Sequence, residues 1–158
     1  MEAVLRPYRP EDHAWLLALH VTHYARVEGF DESFGEVVDG ALSSFETGHD
    51  PARERGFVAE ADCPLGSIFC VREDDTTARL RMFILHDAAR GTGLGRRMLG
   101  ACTDFARAAG YRRMVLGTHE SHRAACALYR SAGWRCVASR PVHSFGVDLV
   151  EQRWETDL

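Results

Sequence analysis

Apolar residues recur along the chain with two periods. Residues 3–9 (AVLRPYR) alternate and read as a short strand. Pro10-Glu11-Asp12 opens a helix with Trp15, Leu16, Leu19, His20 and His23 at helical spacing, which Gly29 closes. Asp31 reads as the cap of a second helix through about Phe45, with Phe34, Val37, Val38, Leu42 and Phe45 on one face. Residues 56–61 and 65–73 read as a hairpin, and 77–86 as a longer strand in which Leu80, Met82 and Ile84 alternate against Arg79, Arg81, Phe83 and Leu85. Then the period lengthens. Leu94, Met98, Leu99, Cys102, Phe105, Ala106 and Ala109 form an amphipathic helix ended by Gly110. A strand at 112–118, a helix at 121–132 ended by Gly133, and strands at 134–140 and 144–155 complete the pattern. The order β-α-α-β-β-β-α-β-α-β-β predicts a single α+β domain over 1–158 with mixed strand directions.

Composition narrows the chemistry. The chain has 158 residues, 46% of them hydrophobic and 27% charged, which excludes a disordered or fibrous class. All 19 basic residues are Arg, with no Lys and no Asn, so lysine nucleophiles, Schiff bases and phosphate-loop lysines are excluded. The five cysteines form no CxxC pair and read as reduced, mostly buried small hydrophobes of a cytoplasmic protein. No apolar run is long enough to span a membrane, and the N-terminus lacks a signal-peptide core. Residues 1–79 carry a net charge of −9 and residues 80–158 of +5. The overall −4 argues against nucleic acid as a partner.

The most informative segment is Arg90-Gly91-Thr92-Gly93-Leu94-Gly95-Arg96-Arg97, placed between a strand and a helix. Glycines there let a ligand approach the backbone. The free N–H groups and positive end of the helix favour an anion, and Arg90, with Arg96 and Arg97 as further candidates, adds charge-assisted bonds. The chemistry is phosphate or pyrophosphate binding. The dinucleotide fingerprint GxGxxG fails, because Gly95 comes one position early, and the nucleoside-triphosphatase loop fails for want of Lys-Ser/Thr. The pattern R-x-x-G-x-G, here Arg90, Gly93 and Gly95, fits.

With its strand MFILHDAA, loop RGTGLG, helix RRMLGACTDFARAAGY and later segment HRAACALYRSAGW, the chain resembles the GNAT superfamily of N-acetyltransferases. It is similar in particular to the acetyltransferase module fused to MarR-type regulators in some bacterial proteins, through HYARVEGFDESF and SFGVDLVEQRWETDL. The resemblance implies a mixed, mostly antiparallel sheet of about seven strands flanked by four helices, with its central parallel strands splayed. It implies acetyl-coenzyme A as cosubstrate, held by the backbone of Ile84, Leu85 and His86, by the loop of Arg90, Gly91, Thr92, Gly93, Leu94, Gly95 and Arg96, and near its adenosine end by His122. Tyr129 matches the family tyrosine whose hydroxyl lies near the cofactor sulfur, and the Leu85 N–H is the expected oxyanion donor.

Many family members place a carboxylate on the strand before the glycine loop; this chain has Arg79 and Arg81 there. His119 and Glu120 are the candidate bases, acting directly or through water. His119-Glu120-Ser121-His122 is one residue short of HExxH, and no metal is expected. The wall of the acceptor groove implied by the resemblance includes Tyr24, Glu28, Phe30 and Asp31. Its acidity points to a cationic amine, either a small molecule or a protein lysine. Two readings stay open, an N-acetyltransferase and a non-catalytic acyl-coenzyme A sensor. A homodimer is a further implication of the family.

Overall fold

The computed structural model describes residues 2–158. Its strands are β1 (Val4–Pro7), β2 (Arg55–Glu60), β3 (Pro64–Arg72), β4 (Thr77–Leu85), β5 (Arg113–His119), β6 (Arg135–Ser144) and β7 (Val147–Asp157). Its helices are α1 (His13–Glu28), α2 (Ser33–Gly48), α3 (Leu94–Ala108) and α4 (Arg123–Ser131). The strands form one sheet in the order β1-β2-β3-β4-β5-β7-β6. Every neighbouring pair is antiparallel except β4–β5. This is the expected α+β architecture.

Two apolar layers hold the sheet. On one face Met98, Leu99, Cys102 and Ala106 of α3 and Tyr129 of α4 pack on Ile68, Leu80, Met114, Leu116 and Trp154. On the other, Leu16 of α1 and Val38 and Leu42 of α2 pack on Phe69 and Ile84. Each such side chain, fully buried, stabilises the fold by about 1.5–3 kcal/mol. The N-terminal strand is tied down by charge. Arg6 Nη2 and Nη1 bond the two oxygens of buried Asp12 at 2.8 and 2.9 Å, and Arg6 Nε donates to Glu60 on β2 at 2.7 Å. Cys70, Cys102 and Cys126 are buried thiols, whereas Cys63 and Cys136 are exposed; none is in a disulfide.

The expected alternation of β4 fails at one residue. Ser67 of β3 pairs with Ile84 and Phe69 with Arg81, so β4 carries one residue more than β3 between those points. Met82 takes a left-handed backbone (φ +52°), and Ser67 Oγ donates to the Met82 carbonyl at 2.7 Å. The bulge reverses the faces of the strand. Leu80, Phe83 and Leu85 lie on the α3 side, while Met82 and Ile84 lie on the α1–α2 side.

The end of the chain also departs from expectation. Pro141 does not break β6, because an edge strand tolerates a missing N–H; it pairs with Val150. The strand therefore continues to Ser144, which pairs with Val147 across a two-residue turn. Phe145 (φ +56°) and Gly146 (φ +80°) both have the positive φ of the turn that matches strand twist. Asp31 precedes α2 and accepts hydrogen bonds from the N–H (3.0 Å) and Oγ of Ser33.

The bulge leaves little room at Gly66 of β3, where a Cβ would lie 2.2 Å from the Ile84 carbonyl oxygen and 2.9 Å from Leu85 Cδ2. Gly66→Ala is expected to destabilise by at least about 2 kcal/mol, read as a lower urea midpoint. Gly40→Ala, on an open face of α2 with nothing within 4 Å, should stabilise by about 0.5–1 kcal/mol.

Candidate active site

Pairing between β4 and β5 covers only Thr77–Arg113, Ala78–Met114 and Arg79–Val115. From Leu80 onward the strands are unpaired, and a cleft of about 1130 Å³ opens between residues 80–85 and 116–119. Antiparallel pairing decides which backbone groups face it. His86 N donates to Leu65 O at 2.6 Å, so His86, and Ile84 two residues before it, direct their N–H and C=O groups toward β3. Leu85 and Phe83 direct theirs to the opposite edge, toward the cleft. The Leu85 N–H is therefore one of the groups on the cleft edge. Phe83 is a further backbone site, visible only once the bulge has restarted the alternation. His86 is committed elsewhere, since its Nδ1 also accepts from Ala88 N at 3.1 Å.

The glycine loop closes one end. Gly91 (φ +74°) and Gly93 (φ +82°) need a backbone that side chains resist, and a Cβ on either would project into open space. Thr92 Oγ1 pins the loop by donating to Ala89 O at 2.6 Å, and Leu94 is buried beneath it. The first helical bond of α3 runs from Arg97 N to Gly93 O at 3.2 Å. The amides of Leu94, Gly95 and Arg96 therefore precede any intrahelical acceptor. A Cβ at Gly95 would press Leu85 Cδ1 at 3.3 Å, so that glycine also keeps helix and strand close. Arg90 bends back over the cleft, with Nη2 3.2 Å from His23 Nε2 and 3.5 Å from Leu85 O. The donors suit a diphosphate, and the open edge of β4 suits an extended, amide-bearing arm.

The wall opposite the loop is aromatic. Tyr24 packs on Phe30 (5.5 Å between centroids), Phe34 (5.0 Å) and His122 (5.1 Å). Phe145 completes it at 4.9 Å from Phe30, its strained turn anchored by the Asp31 N–H to Phe145 carbonyl bond of 2.9 Å. A bulky residue with positive φ carries no sequence signal, so Phe145 was not foreseen. Asp31 itself is exposed and outside the cleft. Glu28 lines it, with Oε1 3.7 Å from His122 Nε2.

Tyr129, 4% exposed, packs between Phe83 (6.3 Å) and Trp134 (5.6 Å) and lines the floor. Burial raises its pKa well above that of an ordinary phenol. His119 and His122 stand edge to face at 5.3 Å. His122 turns into the aromatic wall instead of standing at the rim, and its Nδ1 is 3.1 Å from Thr118 Oγ1. His119 Nδ1 and His122 Nε2 are buried without a hydrogen-bond partner among the described residues, so both offer a polar ligand an unused site. Burial lowers the pKa of both imidazoles, His122 to about 4. Glu120 is exposed and absent from the cleft wall.

Comparison with known proteins identifies the family and the fold. A family model described as "Acetyltransferase (GNAT) family" matches residues 22–134. An N-acetyltransferase from Staphylococcus aureus Mu50 superposes with a TM-score of 0.82 at 22% identity, over 99% of each chain. The putative acetyltransferase yncA of Salmonella typhimurium, solved with its cofactor acetyl-CoA, gives 0.79 at 22% identity, over 99% of this chain and 94% of that one. A ribosomal-protein-alanine N-acetyltransferase from Brucella melitensis gives 0.78 at 20% identity, over 98% and 99%. No curated protein sequence matches. Among the described residues no helix is long and apolar enough to cross a membrane.

Burial of imidazoles has a measurable signature. In the unfolded chain a histidine takes up its proton near pH 6.5; His20 and His122 do so only at about 4 when folded. Their contribution to stability is whole above pH 6.5 and falls as the pH drops toward 4. Ring ¹⁵N shifts should show both neutral from pH 7.5 to 5; half-protonation near 6.5 would contradict the buried setting.

Proposed function

Since the chain belongs to the acetyltransferase (GNAT) family, which uses acetyl-coenzyme A, we propose that it transfers the acetyl group to the nitrogen of an amine. The observation that carries this reading is the joining of three features in one cleft: the free β4 edge, the glycine-loop amides and the buried Tyr129. Acetyl-coenzyme A supplies an activated acyl thioester. Arg90 and the amides of Gly93, Gly95 and Arg96 hold its diphosphate, and Phe83 and Leu85 pair with its arm as a neighbouring strand would. An N–H of Phe83 or Leu85 donates to the acyl oxygen as negative charge grows there.

Tyr129 serves the leaving sulfur. Its raised pKa keeps the phenol protonated, far above the value of about 8.5 for a free thiol. It therefore gives a hydrogen bond and retains its proton, lowering the energy of the thiolate as the C–S bond breaks. His119, neutral at pH 7 because burial lowers its pKa, accepts the proton of the attacking amine. So weak a base is best matched to an amine less basic than a lysine side chain, whose pKa is about 10.4.

Thiol release should depend on both acetyl-coenzyme A and an amine. Tyr129→Phe should lower kcat by about ten- to hundredfold, the worth of one hydrogen bond to a charged atom, with a smaller change in acetyl-coenzyme A affinity. Saturable acetyl-coenzyme A binding without amine-dependent release would favour the sensor reading, to which the arginines on β4 lend some support.

A further inference from the structure

The cleft has a second cationic end that acetyl transfer leaves unused. Arg79 and Arg81 precede the bulge on β4, and Arg153 of β7 pairs with Gly117 of β5 on the same face. Gly117 contributes no side chain, and the Arg79 guanidinium lies over it: a Cβ there would be 3.7 Å from Arg79 Nη1. The neighbouring carboxylates do not balance these charges. Glu73 is taken by Arg79 at 2.5 Å. Glu155 is shared between Arg153 at 3.3 Å and Arg113 at 3.6 Å. Glu151 is engaged by Arg140 at 3.2 Å. Arg81 has neither an ion pair nor a hydrogen bond among the described residues. Partial burial and the Arg79 charge lower its pKa, and the Glu73 carboxylate, already bonded to Arg79, offsets this only in part.

The phosphates of the cosubstrate cannot supply that counterion. Arg81 and Leu85 are four strand residues apart, about 13 Å, and the glycine loop lies beyond Leu85. What reaches Arg81 enters from the acceptor side. Of the two carboxylates that suggested a cationic acceptor, Asp31 is outside the cleft, and Glu28 lines it beside the neutral His122.

We propose that Arg81, with Arg79 and Arg153, binds an acid group on the acceptor itself, so that the substrate is a small amine carrying its own carboxylate or phosphonate. The choice of acceptor rests on the acetyl-transfer reading; the anion site does not. An acid group held here is kept apart from the diphosphate end, and it orients the amine toward His119 and the acyl carbon. A polyamine would instead meet unpaired arginine charge, a repulsion that works against binding.

Two measurements test this separately. In protein saturated with coenzyme A, the Arg81 Nε–H signal, assigned by its loss in Arg81→Gln, should shift saturably with benzoate or phenylphosphonate in the millimolar range and not with benzamide. The two anions distinguish a carboxylate site from a phosphonate site. In turnover, amino acids should exceed their neutral carboxamides in kcat/KM by about tenfold to a hundredfold, the worth of a charge-assisted bond. Arg81→Gln should bring the ratio close to one, and Arg81→Lys should restore part of it. A motionless Arg81 signal, or a preference for carboxamides or polyamines, overturns the anion site while leaving acetyl transfer standing. A saturable Arg81 shift with no amine-dependent thiol release overturns acetyl transfer and leaves the anion site standing.

Discussion

One extra residue in β4 governs the rest of the structure. Had Met82 kept the pleat, β4 could have zipped to β5 along its length, as parallel strands do, and the sheet would have had no opening. The bulge adds local twist and turns Phe83 and Leu85 to the α3 side. The β4–β5 ladder, three residue pairs long, stops just before it and does not resume after it. Backbone groups of the open edge are then left for a ligand, and unmet groups of this kind are costly unless something completes them. Ser67 makes the distortion tolerable by hydrogen-bonding the Met82 carbonyl, and Gly66 makes it possible by having no side chain.

The other parts of the site depend on that opening. The glycine loop places helix amides at the outer end of the gap, and the aromatic wall from α1, α2 and the β6–β7 turn covers one side. Tyr129 lies on the floor because α4 packs on the same face as Phe83. Low polarity around the phenol and the two imidazoles follows from this enclosure. It pushes the pKa values of Tyr129 up and of His119 and His122 down, so all three are uncharged at neutral pH. A site assembled from neutral donors and acceptors suits a reaction in which charge appears only as bonds change.

Much of this was legible in the sequence. The order of elements followed from periodicity and glycine punctuation, and the loop at Arg90 followed from glycines that need positive φ. The bulge was not legible, because Met82 has no Gly or Pro to mark it and its neighbours alternate cleanly; only the register with β3 exposes it. Phe145 was missed for a related reason, since a bulky side chain in a left-handed turn runs against local preference and is held there by the bond from Asp31 N. Pro141 read as a strand end although an edge strand admits it. Asp31 was placed on the acceptor wall by the resemblance and Glu120 beside the cleft by its position at the end of β5; both are exposed and neither is on the cleft lining. His122 reads as a rim residue in sequence, yet its ring packs inward against Tyr24.

The account is tested most directly by amide hydrogen exchange with and without acetyl-coenzyme A. If the ligand completes the sheet, exchange should slow at Phe83 and Leu85 and at the first turn of α3, and remain unchanged at Ile84 and His86, whose amides already face β3. Saturable binding that protects other segments and leaves Phe83 and Leu85 exchanging as before would contradict it.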